Sequence, residues 1–215
     1  VPRRNSEGHK KAIVLSMDKG NLFSLAQVSP FFIRALIAAE DARFYEHQGI
    51  DLIAIEKSYK ANLEAGRVIY GASTITQQVV RQVFLGKERT LLRKAREAFG
   101  ALVLERILVK DEILTWYINL VYFGFGIYGI ADAASFFFET KPELLTLEQA
   151  VHLAIVLPSP SNFSKAIKEK ALTQKGHKRF SFVLDQLLSK QYITKAQWKH
   201  ALKVGNFGLA INKSQ

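Results

Sequence analysis

"GASTITQQVVRQVFLG", residues 71–86, threads three hydroxyls, three side-chain amides and an arginine through a hydrophobic helix pattern. Thr74-x-x-Gln77 is a capping box, which opens a helix after Thr74. Gly86 marks its end. Within the helix, Thr74, Gln78 and Arg81 fall at i, i+4 and i+7 and share one face. Val79, Val83 and Phe84 fall on another and are expected to face a core. A face of hydroxyl, amide and guanidinium suits sugar hydroxyls and phosphate oxygens. The plainer reading is a solvated helix face, although such faces favour Lys and Glu and this one has neither.

Working outward, the same helical grammar recurs along the chain. Ser29-Pro30 is a start signal, followed by Phe32, Ile33, Leu36, Ile37 and Glu40 at helical spacing, with Gly49 expected to end the segment. "AIEKSYKANLEAG" (54–66) reads as a further helix. A long one is expected over Leu91–Val109 and another over Asp111–Val121. "YFGFGIYG" (122–129) reads as a loop or broken helix, and Ala131–Phe138 as helix. Thr146-x-x-Gln149 caps a helix that Pro158 and Pro160 end, and helices near 165–190 and 195–203 close the chain, the last opened by Thr194-x-x-Gln197. No convincing period-2 strand and no internal repeat appears, so the expected fold class is all-α rather than a βαβ architecture.

The chain has 215 residues, 48% hydrophobic and 23% charged, which describes a folded domain with a sizeable core. No cysteine is present, which removes disulfides, thiol catalysis and zinc-thiolate sites. The formal net charge of +11 calls for an anionic partner. Nucleic acid is the bland reading, but no helix-turn-helix spacing or finger motif supports it. Eight basic residues against three acids lie between Arg81 and Lys110, and ten against Glu169 and Asp185 between Lys165 and Lys203. The second block reads as a solvated face or docking surface. No stretch reaches the roughly eighteen apolar residues of a membrane span. The sequence starts without Met, so residues 1–24 read as a lead-in, and a membrane anchor upstream of it is an open expectation.

Two further stretches carry chemistry. In "AAEDARFYEHQG", Glu40, Phe44 and His47 fall at i, i+4 and i+7, one stripe if the helix continues. Glu40 follows an apolar run, and a carboxylate drawn out of water becomes a useful proton acceptor. The alternative is a helix-end acidic pair, with Asp41 paired to Arg43 or Lys57. In "RTLLRKAREAFGALVLERI", Arg93 and Glu97 are spaced to pair across one turn. Convergence of Arg81, Arg89 and Arg93 near two carboxylates would make an anion site beside a base. A salt-bridged surface helix is the alternative there.

Together these stretches resemble the peptidoglycan glycosyltransferase family, the lipid II polymerases of bacterial cell walls. The first family motif, Glu-Asp-x-x-Phe-x-x-His-x-Gly, is matched by "EDARFYEHQG". The second, Gly-x-Ser-Thr-x-Thr-Gln-Gln, is matched by "GASTITQQ". The third, Arg-Lys-x-x-Glu, is matched by "RKARE" and continued by "KDEILTWYIN". "YFGFGIYGI" and "LTLEQAVHLAIVLPSPSNF" resemble the last two. The likeness covers residues 25–203 and departs at Arg81 (mostly Lys in the family), Ala72, Thr115 and "FFFETK", which shifts a lysine to Lys141.

The resemblance implies a lysozyme-like, two-lobed fold over 25–215, with a large head and a small membrane-associated jaw near 50–70. It implies attack by the 4-hydroxyl of lipid II N-acetylglucosamine on C1 of the lipid-linked glycan, with undecaprenyl pyrophosphate leaving. Glu40 matches the general base and Glu97 the second catalytic glutamate. Asp41, Phe44, His47, Ser73, Thr74, Gln77, Gln78, Arg81, Arg89, Arg93 and Asn119 match substrate-binding positions. The motifs require no cofactor and leave room for a divalent cation, Mg or Mn. Implied partners are lipid II, the glycan chain, the membrane surface and other cell-wall synthesis proteins, at the outer face of the cytoplasmic membrane. "SMDK" (16–19) matches Ser-x-x-Lys, but no Lys-Thr-Gly follows and no transpeptidase domain fits. "SFVLDQLLSKQYITKAQWKHAL" resembles the stretch after the transferase core in bifunctional relatives, so a monofunctional enzyme and a fragment both remain open. The rival readings are a lytic transglycosylase of the same fold and a non-catalytic, basic membrane-docking domain.

Overall fold

The computed structural model describes residues 22–68, 71–85 and 90–205. Their order is α1 (Pro30–Glu40), α2 (Leu52–Glu64), α3 (Ile75–Phe84), α4 (Leu91–Ile107), α5 (Lys110–Leu120), β1 (Tyr122–Gly124), β2 (Ile127–Tyr128), α6 (Ile130–Phe138), α7 (Leu147–Val156), α8 (Pro160–Lys168), α9 (Gln174–Ser189) and α10 (Lys195–Val204). The all-α expectation holds, apart from one two-stranded antiparallel ribbon. The chain divides into two compact units, one of residues 22–40 with 118–205, the other of Asp41–Tyr117. The expected jaw region, 50–70, falls inside the second.

In the first unit the core forms around α7, in which every residue from Ala150 to Val156 is buried. A helix apolar all round must be enclosed, and α1 and α9 pack against it. Phe32 and Leu36 from α1, Leu153 from α7 and Phe180 and Leu184 from α9 are fully buried. Each stabilises the unit by roughly 1.5–3 kcal/mol. In the second unit α3 packs on α4. Gly100 permits the approach, because a Cβ there would stand 2.7 Å from Val80 Cγ1.

Four expectations are corrected. First, α1 stops at Glu40, so Glu40, Phe44 and His47 do not share a helical stripe. Asp41 leaves the helix because its carboxylate accepts from the Ile75 N–H at 2.9 Å and takes His47 Nε2 at 3.0 Å; neither Arg43 nor Lys57 is its partner there. Second, "YFGFGIYG" contains the β1–β2 ribbon. Phe125 (φ 53°) and Gly126 (φ 77°) both take left-handed conformations, the signature of a hairpin turn that follows strand twist. Third, 160–189 forms two helices, and Pro160 opens the first rather than ending a helix, since Pro suits a position whose N–H is unbonded anyway. Fourth, Phe84 does not face a core: it is 63% exposed.

Candidate functional site

The second unit assembles its polar cluster from two helix starts. Thr74 caps α3, its hydroxyl accepting from Gln77 N while the Gln77 side chain accepts from Thr74 N at 3.1 Å. The same hydroxyl donates to Gly49 O at 2.7 Å. Thr74 and Gln77 therefore lock α3 to the 41–50 turn, and the polar stripe expected of Thr74, Gln78 and Arg81 loses its first member to the interior. Gln78 accepts from Tyr117 Oη at 3.2 Å. Thr76 donates to Glu105, which also pairs with Lys110 at 2.7 Å. Arg81 lies half-buried on the last turn of α3 and makes no ion pair with any described residue.

The 41–50 turn is rigid for identifiable reasons. Asp41 and His47 are buried against each other. Phe44 is fully buried, with Lys110 Nζ 4.5 Å from its ring centre. Gly49 takes φ 87°, and a Cβ there would lie 2.8 Å from the Ala101 carbonyl, so this turn needs glycine for both torsion and space. Asp41, Phe44 and His47 are thus built into the scaffold of the turn.

At the start of α4, Glu97 is 1% exposed in its side chain. Arg93 Nη1 stands 3.0 Å from its Oε1, and Lys94 Nζ 3.0 Å from its Oε2. Lys94 also donates to Ser73 Oγ at 2.7 Å. The Arg93–Glu97 contact is close but not aligned as a hydrogen bond, so Arg93 Nε and Glu97 Oε1 are buried with bonding capacity left over. Two cations and one carboxylate leave one net positive charge. A partly exposed guanidinium with an unused N–H, beside an ammonium, is suited to an oxyanion such as a phosphate. The structure thus joins Ser73, Arg93 and Glu97 of the expected set and adds Lys94, three residues before Glu97 on the same helix. Arg89 lies outside the described residues.

The first unit holds Glu40, the last residue of α1, with its side chain 7% exposed. Arg179 Nη2, from α9, is 3.9 Å from Glu40 Oε1. Burial lowers the Arg179 pKa, and the charge of Glu40 offsets part of that shift. Arg179 Nε is buried without a hydrogen-bond partner. Sequence reading places Arg179 in the solvated basic block and misses this contact, which joins residues far apart in the chain. Asn119 serves the scaffold, since its amide donates to Phe23 O at 2.9 Å and accepts from Phe23 N at 3.1 Å. Among the described residues no group of three or more His, Asp or Glu side chains stands together as a metal cage would.

A family model described as "Transglycosylase" matches residues 9–188. The chain belongs to the transglycosylase family. Similar proteins include penicillin-binding protein 1A of Escherichia coli K12, 38% identical over 89% of this chain and 21% of that protein. The biosynthetic peptidoglycan transglycosylase of Nitrosospira multiformis is 44% identical over 62% of this chain and 58% of its own length. Penicillin-binding protein 1A/1B of Bacillus subtilis is 39% identical over 91% of this chain and 21% of its own. The chain thus spans about a fifth of the two penicillin-binding relatives and 58% of the transglycosylase.

Proposed function

We propose that this chain polymerises lipid II into glycan strands. The observation that carries the reading is the Arg93–Lys94–Glu97 cluster, in which the carboxylate is buried and the guanidinium keeps an unused N–H. In the proposed step the 4-hydroxyl of lipid II N-acetylglucosamine attacks C1 of the lipid-linked sugar. Its proton passes to the Glu40 carboxylate, and the C1–O bond to the pyrophosphate breaks with its electron pair on the leaving oxygen. Fixed cations stabilise a charge that develops as that bond breaks, without reorganisation at the moment of reaction. Arg93 and Lys94 are assigned that role, with Glu97 holding both in place. Arg179 holds the Glu40 carboxylate from the α9 side. The family and the named relatives support a biosynthetic rather than a lytic direction. A lytic enzyme, whose leaving group is a sugar, gains nothing from a phosphate-type cation cluster.

The substrate and the membrane surface are proposed as one environment. Helix α2 buries none of its residues, and Leu52, Ile55, Tyr59 and Leu63 fall on one stripe of it, all exposed. Such a stripe suits the headgroup boundary of a bilayer, where a lipid-linked diphosphate presents its reactive end. No described helix is long and apolar enough to cross a membrane. The test is incubation with lipid II in detergent, followed by product analysis. Polymer with a lipid pyrophosphate at one end is expected, and Glu40→Gln is expected to lower the initial rate by roughly 10²–10⁴, the worth of a general base. Polymerisation by Glu40→Gln at the parent's rate would end the assignment.

A further inference from the structure

Helix α4 buries Ala101 and Leu104 as an ordinary surface helix would, and departs from that pattern on its other faces. It buries Glu97 and exposes Phe99, Leu102, Val103 and Ile107. Between it and α3 runs an open groove of about 320 Å³, floored by Val80 and Gly100 and walled by Phe84, Phe99, Val103 and Ile107. Phe99 and Ile107 are 70% and 71% exposed. Apolar walls left open to water at this density mark a binding surface. Among the described residues, Arg96 is the one charged side chain lining the groove. It makes no ion pair with any described residue and sits at the end nearer the start of α4. Arg93 lies one turn before it, on a neighbouring position of the helix surface. A line of cations therefore leads from the Arg93–Lys94–Glu97 cluster to the mouth of an apolar trough. From Arg96 to Ile107 the trough follows α4 for about 16 Å.

Resting on the transferase reading above, we propose that this groove holds the first part of the prenyl chain of a lipid-linked diphosphate, with Arg96 at the mouth against a phosphate oxygen. The argument is charge complementarity and continuity. A phosphate near Arg93 whose prenyl substituent runs along this trough sets its first isoprene units against apolar side chains before the chain reaches the bilayer. The branched, kinked prenyl chain also meets a surface of aromatic and branched walls. The diphosphate is bound at the cation cluster and the chain at the groove, so affinity has two separable parts.

The experiment titrates the chain, in a fixed mild detergent, with inorganic pyrophosphate, farnesyl diphosphate and geranylgeranyl diphosphate. Affinity should rise with chain length, geranylgeranyl diphosphate binding at least about tenfold tighter than pyrophosphate, which is about 1.4 kcal/mol. Val103→Trp fills the groove from an exposed position, and it should return both prenyl diphosphates to the affinity of pyrophosphate. Ile107→Ser removes a wall and should lose part of the gain; thermal melts of both variants should match the parent. Equal affinity for all three probes in a parent that polymerises lipid II overturns the groove and leaves the transferase reading standing. Chain-length-dependent binding in a parent that does not polymerise lipid II supports the groove and removes the transferase reading. Lysophosphatidic acid binding as tightly as geranylgeranyl diphosphate makes a straight acyl chain the occupant and overturns the proposal. So does a dimer in sedimentation that Val103→Trp abolishes, which would make a second copy the occupant.

Discussion

Lys94 joins two elements through one ammonium group: Ser73 ahead of α3 and Glu97 inside α4. Its side chain is 46% exposed, whereas that of Glu97 is 1% exposed, so the pair has a wet end and a dry end. On the proposed mechanism the wet end meets a phosphate. Removing a charge-assisted hydrogen bond costs about 1.5–3 kcal/mol, which is roughly 10- to 150-fold in rate. Lys94→Met is therefore expected to slow initial lipid II polymerisation by that factor with a small change in melting temperature, and Lys94→Arg to recover most of it. Parent-like rates in Lys94→Met would remove Lys94 from the phosphate site. Glu97→Gln differs in kind. It leaves Arg93 and Lys94 without their shared carboxylate, and breaking a buried pair from one side costs about 3–5 kcal/mol; the half-exposed Lys94 places the loss near the lower end. Both the melting temperature and the rate should fall, and a Glu97→Gln variant as stable as the parent would show that Glu97 does not hold the cations together. The Arg93–Glu97 pairing was legible in the sequence because four-residue spacing on a helix is a local fact. The Lys94–Ser73 and Arg179–Glu40 contacts were not, because tertiary packing alone brings those residues together.

Local chemistry also explains which elements were legible. The capping boxes at Thr74, Thr146 and Thr194 are all present, because cap and partner lie three residues apart. The end of α1 was illegible because the Ile75 N–H that claims Asp41 belongs to another element. The exposure of Phe84 and Phe99 was illegible for a related reason: apolar periodicity says which residues share a face and not whether that face meets a core. Helix α7 yields a prediction at this scale. His152 is buried on it, stacked 4.6 Å from the Phe180 ring, and burial lowers its pKa from 6.5 to about 3. The unfolded chain therefore binds a proton at His152 where the folded chain does not. The stability contributed by the neutral ring is fully present above the unfolded value of 6.5 and is lost as pH falls toward about 3, at up to about 1.4 kcal/mol per pH unit. His152→Phe keeps a ring against Phe180 and removes the titration. Denaturant unfolding of parent and variant at neutral pH and at about pH 5 should show a shallower acid loss in the variant. Equal pH slopes would mean that His152 does not titrate on unfolding.

At the scale of the whole chain, the proposed membrane docking rests on two forces that respond differently to salt. The formal charge of +11 attracts anionic lipid, at about 1 kcal/mol for each basic residue held near the surface. That attraction reaches about 30 Å at 0.01 M salt and about 8 Å at 0.15 M. The apolar stripe of α2 acts by burial and is indifferent to screening. Binding to anionic liposomes should therefore fall steeply between those two salt concentrations and then level at a remainder that the stripe supplies. Tyr59→Asp and Leu63→Asp replace side chains 67% and 69% exposed, so neither opens a cavity and melting temperatures should hold. Each should abolish the salt-resistant remainder, because a carboxylate in the stripe must enter the headgroup boundary unpaired. Binding at low salt should survive in both variants, since one added negative charge leaves the net charge strongly positive. Cosedimentation at the two salt concentrations, with neutral liposomes as the comparison, separates the two forces. If binding to anionic liposomes resists salt in Tyr59→Asp as it does in the parent, α2 is not the surface that enters the membrane.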